Sequence, residues 1–357
     1  MSSRAERLSA LLPGAGVDVM LVTALTNVRY LTRYTGSNGL ALIGGDTRAF
    51  ITDFRYVEQA AHEVDRSFER RQAPQDLLEG VGEALAGTPL RLGFEDAHVS
   101  VRDHRRLREL LPDGVELIAA GGLVERLRAV KDPHEIQRIR AATAIADDAF
   151  EELLGQGLVG RSERELALEL ERAMVARGAG RPSFETIVAS GAHGARPHAQ
   201  PRDVVLGRGE LVVIDWGAQV DGYCSDCTRT VATGEPGEEA WRVYGLVLEA
   251  QLAGVGAIAA GADGRAVDAA ARDVIEAGGE GEHFGHGLGH GVGLEVHEAP
   301  RLSQRSEDQL QAGNAVTVEP GVYVPERFGV RIEDLVIVTE GGCEVLTSLP
   351  KELIVTR

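Results

Sequence analysis

The chain has 357 residues, enough for about two domains at ~150 residues each. Hydrophobic residues make up 43% and charged residues 26%, a balance that excludes wholesale disorder. Lys and Arg number 37 against 55 Asp and Glu, a net charge of −18; so acidic a surface repels phosphate and speaks against a general nucleic-acid or anionic-membrane role.

The apolar stretch from Leu246 to Ala262 is cut by Glu249 and is too short to span a bilayer. The N-terminus carries Glu6 and has no apolar run of signal-peptide length. Three cysteines cannot form a disulfide framework in a chain of this size. These features predict a soluble cytoplasmic protein, with no nucleic-acid and no membrane partner.

In chain order, short apolar runs predict strands over Val17–Val22, Leu40–Ile43 and Ala49–Thr52, with Asp53 opening a helix. Leu90–Phe94 and Val115–Ile118 follow, separated by a charged helix over Val101–Leu111. Strands alternating with helices predict an α/β first domain, residues 1–128. Past the boundary, Asp132-Pro133-His134-Glu135 combines an N-cap, a proline at the first helical position and a capping box. Ser162 to Glu165 is a second capping box, with Gly178 as the stop. Pro236 precedes a third helix, whose apolar stripe we place on Trp241, Tyr244, Leu248, Leu252 and Val255. A fourth helix runs from Ala266 to Gly278-Gly279. Strands are predicted over Glu210–Trp216, Tyr223–Val231, Ala315–Glu319 and Gly329–Val338, so that residues 129–357 form an α+β domain.

Four of the ten histidines lie between His283 and His297, where glycine occupies every second position from Gly285 to Gly293. So much glycine disfavours a helix, so His286 and His290 are not a helical metal-binding pair. An extended segment that lets backbone approach something closely fits better, and several histidines on it point to a site. Asp221-Gly222 is the strongest hairpin turn signal in the chain. A two-residue turn there sets Val220 opposite Tyr223 and Asp215 opposite Thr228, with Asp226 the diagonal neighbour of Asp215. Such diagonal pairs lie about 7–8 Å apart, within reach of one dinuclear metal centre. The plainer alternative is two solvated hairpin carboxylates.

Glu319 ends the strand Ala315–Val318 ahead of Pro320-Gly321. Arg331 and Glu333 fall on one face of the next strand, where a surface ion pair is the competing explanation. Cys224 and Cys227 have redox-motif spacing, but on a strand residues three apart point to opposite faces.

The series Asp215, Asp226, His290, Glu319, Glu333 resembles the metal-dependent peptidases of the pita-bread fold: methionine aminopeptidase, aminopeptidase P and prolidase. The motifs are D-W-G-A-Q-V-D-G-Y-C-S-D-C-T-R-T, G-H-G-L-G-H-G-V-G-L-E-V-H-E, V-E-P-G-V-Y and V-R-I-E-D. In the first third, N-V-R-Y-L-T-R-Y-T-G-S-N-G and I-T-D-F-R-Y-V-E-Q-A look like the creatinase-type N-terminal domain. Methionine aminopeptidases lack that domain, which leaves the aminopeptidase P and prolidase branch.

The resemblance implies a creatinase-like α/β N-terminal domain and an α+β pita-bread catalytic domain. It implies two divalent metal ions: Asp215 on one, Asp226 and Glu333 bridging, His290 and Glu319 on the other. Four carboxylates and one imidazole suit Mn²⁺ and admit Zn²⁺ or Co²⁺. Glu319 is implied as the proton shuttle, His297 as the group that steadies the tetrahedral intermediate, and His286 as a catalytic histidine. His198 and Phe184 are expected at the substrate, with Arg331, and Arg301 resembles the arginine that some prolidases place near a substrate carboxylate. A plain loop histidine is the alternative for His198. The implied substrate is a peptide with proline in second position, cleaved by a dipeptidase (prolidase) or, alternatively, by an aminopeptidase on longer peptides. A homodimer is implied by the resemblance alone. A catalytically inactive pita-bread peptide-binding module is the reading from another class.

Overall fold

The computed structural model describes residues 3–85 and 89–356. The chain divides into two compact units, Met1–Arg128 and Ala129–Arg357.

In the first unit, six strands form one sheet in the order Glu69–Gln72, Arg48–Thr52, Leu40–Gly44, Val19–Val22, Leu90–Phe94, Val115–Ala119. Leu21, Leu42, Ile51 and Leu92 are among the buried side chains that pack it against the Leu77–Ala84 and Val101–Leu110 helices. The Glu69–Gln72 strand has no apolar signature; its residues, Glu-Arg-Arg-Gln, are tolerated because it lies at the sheet edge. Asp53 does start helical structure, accepting a hydrogen bond from Arg55 N (2.9 Å), but the first turn is a 3₁₀ helix over Phe54–Tyr56.

The second unit carries the site. Its first helix, Pro133–Gln156, begins with the predicted box: Asp132 accepts from the backbone N–H groups of His134 and Glu135, and Glu135 reaches back to Asp132 N. The next, Glu163–Ala176, is capped by Ser162 and Glu165 in the same way. These helices cover a four-stranded sheet of Ile354–Val355, Cys227–Ala232, Leu211–Trp216 and Ile187–Ser190. Trp216 stacks on Phe150 there, ring centres 4.2 Å apart. Helices Glu238–Gly256 and Gly264–Ala277 pack against a five-stranded sheet of Glu298–Leu302, Gly289–Gly291, Ala315–Val318, Asp334–Thr339 and Gly342–Val345.

Three sequence expectations need correction. The stretch read as one strand over Tyr223–Val231 is two, Tyr223–Cys224 and Cys227–Ala232, in different sheets, with Asp226 in the break. The buried face of the Glu238–Gly256 helix carries Ala240, Val243, Tyr244, Val247, Ala250 and Gly254, while Trp241 and Leu252 are exposed. Tyr244 is buried as expected and Leu248 and Val255 are partly buried against the core, but the closest approach to the sheet is at Gly254, where a Cβ would sit 2.9 Å from Val318 Cγ1. The stretch read as one strand over Gly329–Val338 is two, Phe328–Arg331 and Asp334–Thr339, in different sheets. Glu333 lies in the break between them, so the two-residue alternation that placed it beside Arg331 does not apply.

Candidate metal centre

The hairpin forms as its turn signal predicts. Asp221 and Gly222 both take positive φ (48° and 85°), the primed-turn geometry that matches strand twist. Val220 faces Tyr223, and Asp215 faces Thr228. Asp226 sits just before the Cys227–Ala232 strand. Glu333 is tied to the same hairpin, its N–H donating to Thr228 O at 3.0 Å. One carboxylate oxygen each from Asp215, Asp226 and Glu333 lies within 4.8 Å of the others.

These acids are short of donors. Arg331 Nη2 donates to Asp215 Oδ2 (2.6 Å) and Thr228 Oγ1 to Glu333 Oε2 (2.7 Å). Asp215 Oδ1 and Glu333 Oε1 are buried with no hydrogen-bond partner among the described residues. Each such orphan costs about 1–3 kcal/mol unless something else satisfies it, and buried oxygens aimed at one point fit a cation.

His290 and Glu319 adjoin this cluster. A Cβ at Gly289 would lie 2.0 Å from Thr317 O, and one at Gly291 2.1 Å from Ala299 O. Alternating glycine therefore lets the His290 strand wedge between two backbones, which is why the segment is extended. His290 Nδ1 donates to Gly291 O (3.1 Å), which leaves Nε2 as an acceptor. That Nε2 lies 3.1 Å from Glu319 Oε1 and 3.7 Å from Asp226 Oδ2. Two acceptors that close require a proton or a cation between them.

The electrostatics divide the acids. Burial pushes Asp226 and Glu333 well above the usual carboxylate range, and neighbouring acids add to it. Burial also raises Asp215, although Arg331 pulls against it. At Glu319 burial again opposes the charge, but the His290 contact, His286 and Arg331 overcome it and hold the carboxyl at about 2. Burial lowers both His286 and His297, favouring neutral imidazoles.

A cavity of about 730 Å³ opens over the cluster, lined by every site residue named from the sequence, Phe184, His198, His286, His297 and Arg301 among them. The rings of His297 and His290 are 4.3 Å apart. His286 Nε2 accepts from Tyr323 Oη (2.9 Å), and Tyr323 Oη accepts from Arg331 Nη1 (2.7 Å). Arg331 is not the surface partner that an edge strand would make of it. It is buried, with its guanidinium donating to Asp215, Thr228, Tyr323 and Pro197 O. It therefore orients acids more than it faces the cavity. Sequence reasoning missed Thr228, Tyr323 and Thr317, which donates to Glu319 Oε1 (3.1 Å). Thr228 was within reach, because the hairpin register already set it opposite Asp215.

Residues 137–340 match metallopeptidase family M24, and residues 4–130 match the creatinase/prolidase N-terminal domain. The chain belongs to the M24 metallopeptidases. It joins a creatinase-type N-terminal domain to a pita-bread domain and is a peptidase that depends on divalent metal ions. Over 98% of its length it is 45% identical to the uncharacterized peptidase YqhT of Bacillus subtilis, covering 99% of that protein. The solved structure of an Xaa-Pro dipeptidase from Bacillus anthracis superimposes with a TM-score of 0.95 at 45% identity, covering 99% of each chain. An X-Pro aminopeptidase from Thermotoga maritima gives 0.90 at 39% identity, over 99% of this chain and 100% of that one.

Proposed function

We propose that this M24 peptidase is a dinuclear-metal enzyme that cleaves Xaa-Pro bonds, with dipeptides as its substrates. The observation that carries the reading is the set of donor-starved carboxylates of Asp215, Asp226 and Glu333 beside the facing His290–Glu319 pair, all opening on one cavity. Asp215 would hold one cation, Asp226 and Glu333 would be shared, and His290 and Glu319 would hold the second. Four carboxylates and one imidazole are a hard donor set that suits Mn²⁺ before Zn²⁺ or Co²⁺. Bound there, the cations supply Lewis acidity and lower the pKa of the attacking water.

The chain's own groups do the rest. Glu319, kept ionised, takes the proton from the attacking water and passes it to the proline nitrogen as that bond breaks. His297 donates a hydrogen bond to the oxygen on which charge develops. His286, its Nε2 bonded to Tyr323, and His198 border the peptide. Phe184 offers an apolar wall. Arg331 keeps Asp215 oriented. Proline lacks an amide N–H, so ordinary peptidases handle it poorly and a dedicated pocket is needed.

The dipeptidase choice rests on Arg301. It lines the cavity; its backbone N–H donates to Asp308 Oδ2 (2.8 Å) and its carbonyl accepts from Ser306 Oγ (2.7 Å), but among the described residues its guanidinium makes no hydrogen bond or ion pair. A free guanidinium suits a C-terminal carboxylate. The aminopeptidase reading is supported by the likeness to the Thermotoga enzyme. Turnover of Xaa-Pro against Xaa-Pro-Yaa, in Mn²⁺ and after EDTA, decides between them. Arg301→Ala is expected to weaken kcat/KM for the dipeptide about tenfold and to leave the tripeptide nearly unchanged; free tripeptide turnover by the wild type defeats the dipeptidase reading. A chain that ignores chelator and purifies without stoichiometric metal would be a binding module instead.

The same proposal includes a homodimer in the cytoplasm. Three free cysteines, two of them buried, suit a reducing compartment. No helix among the described residues is long and apolar enough to cross a membrane. Gel filtration at the mass of one chain, with full activity, would remove the dimer.

A further inference from the structure

No hydrogen bond on the His198 imidazole, among the described residues, holds it in the cavity into which its loop carries it. Among the described residues the ring is exposed on the cavity wall, flanked by Pro197, Ala199, Gln200 and Pro201, which also line it. Its position is therefore set by the backbone of the loop between Ser190, the end of a strand, and Arg202, whose carbonyl also accepts from Arg164 N (3.1 Å). Both ends of that loop converge on one carboxylate.

Glu163 is the first residue of the Glu163–Ala176 helix, and its side chain is 0% exposed. At the near end of the loop it accepts from Ser190 N and Ser190 Oγ, each at 2.9 Å. Within the loop it contacts His193 Nδ1 at 3.0 Å. At the far end it accepts from Arg202 N (3.0 Å), Nε (3.1 Å) and Nη2 (3.0 Å). Six donors share two oxygens. Only an anion can take the Arg202 fork and still serve both backbone N–H groups. An amide in its place would turn an NH₂ toward donors, in a spot closed to water.

We propose that Glu163 is the positioning residue for the His198 loop, and that it sets substrate binding through His198 without touching substrate or metal. The middle of the loop has its own tie, Arg331 Nη1 to Pro197 O (3.2 Å), so the clamp joins the loop to the metal centre at one point and to the helix at its two ends. The substrate part of this inference rests on the Xaa-Pro reading above; the clamp itself does not.

The test uses Glu163→Gln in the full chain loaded with Mn²⁺. KM for an Xaa-Pro dipeptide should rise about tenfold or more, while kcat at saturation changes less than about threefold. Metal stoichiometry should stay that of the wild type. The double variant with His198→Ala should be no worse than His198→Ala alone, because two residues acting through one contact are not additive. Additive losses, an unchanged KM, or loss of metal would each overturn the proposal. Amide hydrogen exchange supplies a readout without activity: residues 191–201 should exchange faster in Glu163→Gln, while the 211–232 hairpin keeps its protection. Equal loosening of loop and hairpin would mean a merely structural role and would overturn it too. If Glu163→Gln does not fold, Arg202→Ala, which removes the half-exposed partner only, should show the same pattern at smaller size; no loop effect there would count against the clamp. A wild type that hydrolyses no Xaa-Pro peptide defeats the proposed function, while the exchange result still judges Glu163.

Discussion

Two buried carboxylate clusters in the second unit are built on opposite plans. At Glu163 the protein provides every donor: six N–H and O–H groups surround two oxygens, and burial, which opposes the charge, is outweighed so far that the carboxyl falls to about 2. At Asp215, Asp226 and Glu333 the protein stops short. Two oxygens have no hydrogen-bond partner among the described residues, and burial drives Asp226 and Glu333 up. The first cluster is complete as folded. The second leaves buried oxygens without donors, and under the proposed function cations from outside the chain would complete it. A shortage of donors, more than the mere presence of acids, distinguishes a site from a brace.

The sharpest way to break that contrast is at Glu319. Glu319→Ala removes both a proposed ligand and the proton shuttle, and hydrolysis should fall by about 10²–10⁴ or more in steady-state assays; substantial remaining turnover would strip Glu319 of its role. Chelation comes next. EDTA should abolish activity and lower the thermal midpoint, and Mn²⁺ should restore both; saturation at a hundred times Kd corresponds to about 2.7 kcal/mol. A melting curve indifferent to EDTA would mean that the donor-starved acids need no cation. Arg331→Met then removes the group that orients Asp215 and, through Thr228, Glu333. Its metal affinity, read by calorimetry, should drop about 10–100-fold.

The smallest effect separates the two clusters by pH. A carboxylate whose folded pKa lies below its ordinary value of 4.5 stabilises the protein above that value. Glu163 should contribute fully above about pH 5 and progressively less as pH falls from about 4.5 toward 2. The stability gap between wild type and Glu163→Gln, measured by urea unfolding, should therefore be flat near neutrality and close in acid. A gap that does not change with pH would show that Glu163 is not held as an anion.

The sequence by itself determined the elements whose causes are local. Capping boxes at Asp132/Glu135 and Ser162/Glu165 and the turn at Asp221-Gly222 each depend on residues within a few positions of one another. So does the extended His290 strand, since glycine alternation is a property of the segment. The motifs around Asp215, Asp226, His290, Glu319 and Glu333 named the candidate ligands before any contact was known, and the fold brings all five to one cavity. What only the tertiary structure decided depends on groups far apart in the chain. The buried face of the Glu238–Gly256 helix took in Ala250 and Gly254 and left Trp241 and Leu252 outside, because a neighbouring sheet came close at Gly254. The break before Asp334 put Glu333 against Thr228, more than a hundred positions away. Arg331 turned inward because Asp215, Tyr323 and Thr228 met it there, and Glu163, legible only as a helix start, became a brace because Ser190 and Arg202 folded back to it. Local chemistry sets turns and caps through backbone geometry. The pairing of buried charges is settled by packing, because a charge taken out of water must find its partners wherever the fold brings them.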